Sequence, residues 1–414
     1  MGILSRTIFT GFAPNLTRHD VNTACKFLFQ PNYWSKLRIG NSILMVERWL
    51  KKFFQTKYSF TFDSGRSALY FALKALGVRE NDEVLVQSFT CIVVINAIKW
   101  LGAIPIYVDV KDDFNMNPID LSEKISSKSK VLIIQHTFGC PADLENILKI
   151  AKNNNLKIIE DCAHAFGAKS NGRLTGTFGD VGMFSFGSDK VLSCVRGGAL
   201  VTNDDNIANV LKSYQDNLPL SPRIKVIQHL LNYLFFWIGK PIYHFGVGKW
   251  LLAIVKNLHI INRIVYPEEK LGLPVLFYPA KFPNALATIL LDKFENLYQI
   301  IEHQKDIALL FNQRISNPNI TKPYWTNDSI WLRYTILVDE PSKLHKIAKI
   351  QNIILGNWYD SPVVASSIDL SLLDYKTGSC PNDESISRRC LNLPTDINIS
   401  PADVDKIVKI VNSY

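Results

Sequence analysis

Between residues 58 and 205 short apolar runs rich in β-branched and aromatic residues alternate with stretches of helical periodicity. Tyr58–Phe62, Val84–Gln87, Ile104–Asp109, Val131–Phe138 and Lys157–Asp161 read as strands. Ser67–Leu76 places Leu69, Phe71, Ala72, Leu73, Ala75 and Leu76 at helical spacing, and Leu144–Ala151 does the same. Such alternation predicts an α/β fold: a large domain whose mostly parallel sheet is covered by helices on both faces. Ligands of such sheets bind beyond the carboxyl ends of the strands, so the polar residues that end these runs are the ones to inspect.

Outside this block the pattern changes twice. Ile43–Phe54 reads as an amphipathic helix feeding the first strand, within an amino-terminal segment of residues 1–57. From residue 285 a long helix is expected over Ala285–Phe311, followed by a strand at Trp331–Val338 and helices at Lys343–Gln351 and Pro401–Val411. This predicts a smaller α+β domain over 285–414, after a large domain over 58–284. Residues 217–267 break the large domain's pattern with an apolar, aromatic and basic insert.

Composition narrows the class. Apolar residues make up 47% of the 414 and charged residues 20%, enough for a sizeable core and too apolar for global disorder. Seven widely spaced cysteines without a CxxC pair argue against a disulfide framework and a zinc ribbon, and for a reducing cytoplasm. Nowhere do 18 apolar residues run together, and Met1–Thr7 carries neither a signal peptide nor a myristoylation pattern, since Arg6 stands where Ser or Thr is needed. The net charge is 46 − 37 = +9. Six of those charges (Arg223, Lys225, Lys240, Lys249, Lys256 and Arg263) lie between Asp216 and Glu268, where no acidic residue occurs. Nucleic acid usually needs a denser basic stripe, so no nucleic-acid partner is expected.

Three polar clusters end the strands. Asp63-Ser64-Gly65-Arg66-Ser67 lies between a strand and a helix, where free N–H groups favour a phosphate. A plain Ser64 helix cap is the competing reading. Glu160-Asp161-Cys162-Ala163-His164 puts two acids at the end of an apolar strand, which implies a cationic partner or a metal. Cys162 and His164 lack further ligands at metal-site spacing, so no metal is expected. Lys190 ends the cluster Gly179–Lys190, just past an apolar, serine-bearing strand, and precedes Gly197-Gly198. Partial desolvation there would lower its pKa and make it a nucleophilic amine. Dinucleotide, P-loop, nucleophile-elbow and HExxH motifs are absent.

In this order the clusters resemble the nucleotide-sugar aminotransferases of the DegT type, fold-type I enzymes that use pyridoxal 5′-phosphate. The motifs are SGRSALYFALKALG, NDEVLVQSFT, GAIPIYVDV, HTFGCPADL, IIEDCAHAFGA, GTFGDVGMFSFGSDK and GGALVTND, with weaker matches at Ala285–Ile300 and Leu391–Val411. The resemblance implies that Lys190 is the lysine that carries the cofactor and that Asp161 pairs with its pyridinium nitrogen. It implies that His164 contacts the 3-hydroxyl, and that Gly65, Arg66 and Ser185 cradle the phosphate. Cys91 falls where many members stack an aromatic ring on the cofactor. Arg66 stands in place of the family's usual Thr, and Arg196 in place of a glutamate. Pro279-Ala280-Lys281 replaces the Asn-x-Arg stretch that reaches the neighbouring protomer's phosphate, with Lys281 as the substitute.

The activity so implied moves an amino group, with glutamate as donor, to a nucleotide-linked keto-sugar for surface-glycan or related amino-sugar synthesis, in a homodimer. A keto-sugar dehydratase of the same family would carry His in place of Lys190. A regulatory or scaffolding protein on the same fold is the alternative from another class. The insert allows two readings. It is a lid or partner-protomer contact, or it is a contact with the inner face of the membrane, since Val226–Gly239 is 14 uncharged residues, too short to span a bilayer.

Overall fold

The computed structural model describes residues 6–11, 13, 15–263, 265–364 and 369–414. The amino-terminal pattern Met1–Thr7 therefore lies mostly outside the described residues. Seven strands form the central sheet: Tyr58–Phe62 (β1), Glu83–Gln87 (β2), Ile104–Val108 (β3), Ser129–Gln135 (β4), Lys157–Asp161 (β5), Val181–Ser185 (β6) and Gly198–Thr202 (β7). Their spatial order is β1-β7-β6-β5-β4-β2-β3. All neighbouring pairs are parallel except those of β7, which runs antiparallel to both β6 and β1.

Successive strand residues point to opposite faces, and both faces here are apolar. Val84, Val86, Val131 and Ile133 enter one core, together with Leu69, Phe71 and Leu73 of the helix Gly65–Ala75 (α1). Leu85, Leu132 and Ile134 enter the other, against Leu144 and Ile147 of the helix Leu144–Asn153. Continuous apolar strands covered on both sides are what an α/β sheet requires.

A separate core gathers Ile307, Phe311, Tyr334, Leu344, Leu391 and Val404. Its two-stranded sheet pairs Tyr334–Leu337 (β8) antiparallel with Cys390–Leu393 (β9). Ile8–Phe9 pairs with Ile353–Ile354, so the start of the chain packs with this carboxyl-terminal core.

Two elements differ from expectation. The helix expected over Ala285–Phe311 is two helices, Asn284–Glu295 and Leu297–Arg314, broken at Asn296 (φ −103°, ψ 7°). The first buries Ala285, Leu286, Ile289 and Leu290 among the residues around the sheet, while the second must turn to place Ile307 and Phe311 in the other core. The strand expected over Trp331–Val338 begins only at Tyr334, because Trp331 has φ 52° and the Leu332 N–H bonds Phe138 O at 2.9 Å.

The insert forms two helices, Arg223–Gly239 (α2) and Val247–Asn257 (α3). Val226, Leu230 and Tyr233 of α2 are buried against the helix Arg18–Phe29. Glycines bring α2 and α3 together: a Cβ on Gly248 would lie 2.1 Å from Gly239 O. Leu252 and Val255 of α3 face inward. Val247, Trp250, Ile254 and Leu258 lie on its other side at spacings of three and four, exposed by 62, 72, 50 and 66%. Among the described residues no helix is long and apolar enough to cross a membrane.

Candidate active site

Strand pairing gathers the three polar clusters at one edge of the sheet. Asp161 ends β5 beside Gln135 of β4 and Met183 of β6. Ser185 ends β6 opposite Gly198, which also pairs with Phe62 of β1. The antiparallel β7 thus starts where β1 and β6 end, and it delivers Arg196-Gly197 to the same edge. Glycine is required at this crowded point, since a Cβ on Gly198 would lie 2.3 Å from Ser64 O. A cavity of about 950 Å³ opens on the edge, with Gly65, Asp161, His164, Ser185, Lys190 and Arg196 among its walls.

Asp161 is buried, and its Oδ1 accepts from the Ala163 N–H at 2.9 Å. Among the described residues Oδ2 has no hydrogen-bond partner. Burial pushes this carboxyl up, against the Ala163 N–H and the charges of Lys190 and His136. Lys190 is the converse case. Burial pulls its amine down, while Cys91, Asp161 and Asp189 act the other way. Its Nζ lies 5.2 Å from the ring centre of Trp358.

Burial, then Lys190 and Arg333, hold His164 well below the usual histidine range, so the ring is neutral. Its Nδ1 accepts from the Phe138 N–H at 3.4 Å, which leaves Nε2 to donate to Tyr359 Oη at 3.3 Å. The ring stacks on Trp358 with centroids 5.6 Å apart. Trp358 and Tyr359 come from a loop packed with the carboxyl-terminal region and carry no motif, which is why sequence reasoning passed over them. Cys91, at the head of the helix Ile92–Lys99, lines the cavity, and burial pushes its thiol up.

The Asp63–Ser67 turn caps a helix and packs closely on β6. Ser64 caps α1 by accepting from the Ser67 N–H at 3.2 Å. Gly65 meanwhile approaches β6 so closely that a Cβ there would lie 2.8 Å from Ser185 Oγ. The Arg66 guanidinium is ion-paired with Glu269 and reaches Tyr278 Oη at 3.3 Å. Burial opposes its charge, but Glu269 and Tyr278 outweigh that and hold it above its ordinary value. Glu269 was invisible as a partner in the sequence, because 203 positions separate it from Arg66.

The two acids at the end of β5 divide their roles. Glu160 accepts from the backbone N–H groups of Gly176, Phe178 and Gly179 and lies 3.2 Å from His136 Nε2. His136 Nδ1 accepts from the Ala142 N–H. Glu160, His136 and Cys162 sit within metal-ligand reach of one another, yet three amides and an imidazole N–H already occupy the carboxylate. Its partners are backbone dipoles and the His136 ring, where the sequence implied a cation or a metal.

Residues 21–217 and 265–412 match the DegT/DnrJ/EryC1/StrS aminotransferase family. The chain belongs to this family. It is 43% identical over 169 residues to the GDP-perosamine synthase of Escherichia coli O157:H7, an alignment covering 41% of this chain and 46% of that protein. It is 28% identical to the dTDP-3-amino-3,6-dideoxy-alpha-D-galactopyranose transaminase of Aneurinibacillus thermoaerophilus, over 91% of each. The fold matches Helicobacter pylori PseC, an aminotransferase of pseudoaminic acid biosynthesis, with a TM-score of 0.76 at 18% identity, covering 99% of both chains. The family match leaves out 218–264, which contains α2 and α3.

Proposed function

We propose that the chain is a pyridoxal 5′-phosphate-dependent aminotransferase acting on a nucleotide-linked keto-sugar, with glutamate as donor. The observation that carries this reading is the convergence of Lys190, Asp161 and the Gly65 turn on one cavity. The residues suit the cofactor. Asp161 has an unpartnered carboxylate oxygen for a pyridinium N–H, and Gly65 leaves room beside Ser185 Oγ at a helix N-terminus that favours phosphate. Bound, the cofactor supplies an electron sink for the carbanion left when a Cα proton is removed.

The protein's own groups do the rest. Lys190 would hold the cofactor and move the proton, a task suited to an amine that burial pulls down. Asp161 would keep the ring nitrogen of the bound cofactor protonated. His164, fixed by Phe138 and Tyr359, would contact the cofactor's 3-hydroxyl. The cavity's size falls in the range of small-ligand sites, and the named relatives act on GDP- and dTDP-linked sugars. A homodimer, with Lys281 reaching the second site, completes the reading. Incubating the protein with cofactor, glutamate and a panel of nucleotide-linked keto-sugars should yield, by mass spectrometry, one sugar whose carbonyl has become an amine. No amination of any sugar, with the cofactor demonstrably bound, would reject the reading.

The insert supports a finer proposal about location. The stripe Val247–Trp250–Ile254–Leu258 is flanked by Lys249 and Lys256 in a stretch without acids, which suits an anionic lipid surface. At low salt the protein should float with phosphatidylglycerol vesicles and be released by high salt. A Trp250→Glu, Ile254→Glu variant should remain unbound. Both side chains are exposed, so the substitutions spare the core. If the wild type fails to float, or the variant floats equally well, the stripe is a protein contact instead.

A further inference from the structure

Among the described residues Arg196 is a buried cation of the cavity that forms no ion pair with a carboxylate. It is 7% exposed, it lines the cavity, and its Nη2 is enclosed without an acceptor. No acidic oxygen lies within ion-pairing distance of it among the described residues. By contrast its neighbour Arg66 is ion-paired with Glu269. An enclosed guanidinium left without an acceptor is costly and is a common sign of a missing anion.

Its surroundings indicate which anion. The guanidinium stands 4.8 Å from the ring centre of Tyr278. Two residues on, Gly198 touches the Ser64–Gly65 backbone at the head of α1, and Gly198 pairs with Ser185. From the insert, Lys225 and His229 add to the same corner, and Arg196 contributes to holding both below their ordinary values, after burial. Asp63 and Glu269 both feel Arg196, yet neither forms an ion pair with it, and Glu269 is held by Arg66. A helix N-terminus, a hydroxyl and a guanidinium without an ion pair line one cavity, the kinds of group that bind phosphate.

We propose that Arg196 is the anchor of a phosphate subsite, built within one chain between the Gly65 turn, Ser185 and α2. It rests on the reading of the cavity as the reaction site. The phosphate arrives either on the cofactor or as the diphosphate of the nucleotide-linked substrate. In the first case Arg196 supplies, in cis, a guanidinium contact alongside the one proposed for Lys281.

Equilibrium binding to the apo-protein separates the two sources. The probes are pyridoxal 5′-phosphate, pyridoxal lacking the phosphate, and the diphosphates GDP, dTDP and UDP. Arg196→Gln should weaken one phosphorylated probe at least tenfold and leave pyridoxal unchanged, and Arg196→Lys should recover part of the loss. Selective loss of pyridoxal 5′-phosphate assigns the subsite to the cofactor, and selective loss of a nucleoside diphosphate assigns it to the substrate. Unchanged affinity for every phosphorylated probe overturns the proposal, as does an equal loss for pyridoxal. Should Arg196→Gln not fold, Arg196→Lys decides: affinity for every phosphorylated probe within twofold of wild type also overturns it. Wild-type protein that binds nucleoside diphosphates through Arg196 but no cofactor would contradict the proposed function while sustaining the subsite.

Discussion

A Lys190→Ala protein is expected to fold normally, lose the visible absorption band of the lysine-bound cofactor, and lose turnover. Lys190 is half-buried at the cavity edge and its amine forms no ion pair among the described residues. Truncation therefore breaks no ion pair, and the fold should be spared. Function is different, because the same amine attaches the cofactor and carries the proton. The lost proton transfer alone is worth about 10²–10⁴-fold in rate, and the lost attachment adds to it. Circular dichroism and the absorption spectrum check the two halves separately. A Lys190→Ala enzyme within tenfold of wild type would place the reacting amine elsewhere.

Asp161→Asn should separate rate from binding. The amide fills the same buried space and can still accept from the Ala163 N–H, so the end of β5 should keep its geometry. What disappears is the anion that holds a proton on the ring nitrogen, and with it the electron sink. Removing one preorganised electrostatic contact at a reacting centre costs roughly 10²–10³-fold in kcat. Cofactor affinity should change far less, since the phosphate contacts remain. Rates within a few-fold of wild type would mean that Asp161 does not face the ring.

Local patterning made the sheet legible. Lys157–Asp161 and Tyr58–Phe62 form the strands their composition predicts. Lys190, Asp161, His164, Ser185, Gly65 and Cys91 all reach one cavity because strand ends are where an α/β sheet collects polar residues. Contacts across long sequence separations were not legible. Glu269 pairs with Arg66, and Trp358 meets Lys190, only once the chain has folded. The break at Asn296 was equally hidden, because apolar periodicity continues through it and only the two separate cores reveal that the helices must diverge. In the insert, the sequence marked an apolar and basic stretch, but not its two helices, nor that part of it would wall the cavity while Trp250 faces out.

The central claim is that Lys190 carries the cofactor at this strand edge, and reductive trapping tests it most directly. The protein loaded with pyridoxal 5′-phosphate is treated with borohydride, digested and mapped by mass spectrometry. The account predicts one pyridoxyl-phosphate adduct, on the peptide containing Lys190, and none when an excess of glutamate has first discharged the cofactor from the lysine. An adduct confined to another lysine, or a Lys190 peptide that stays unmodified while the protein is saturated with cofactor, would contradict it.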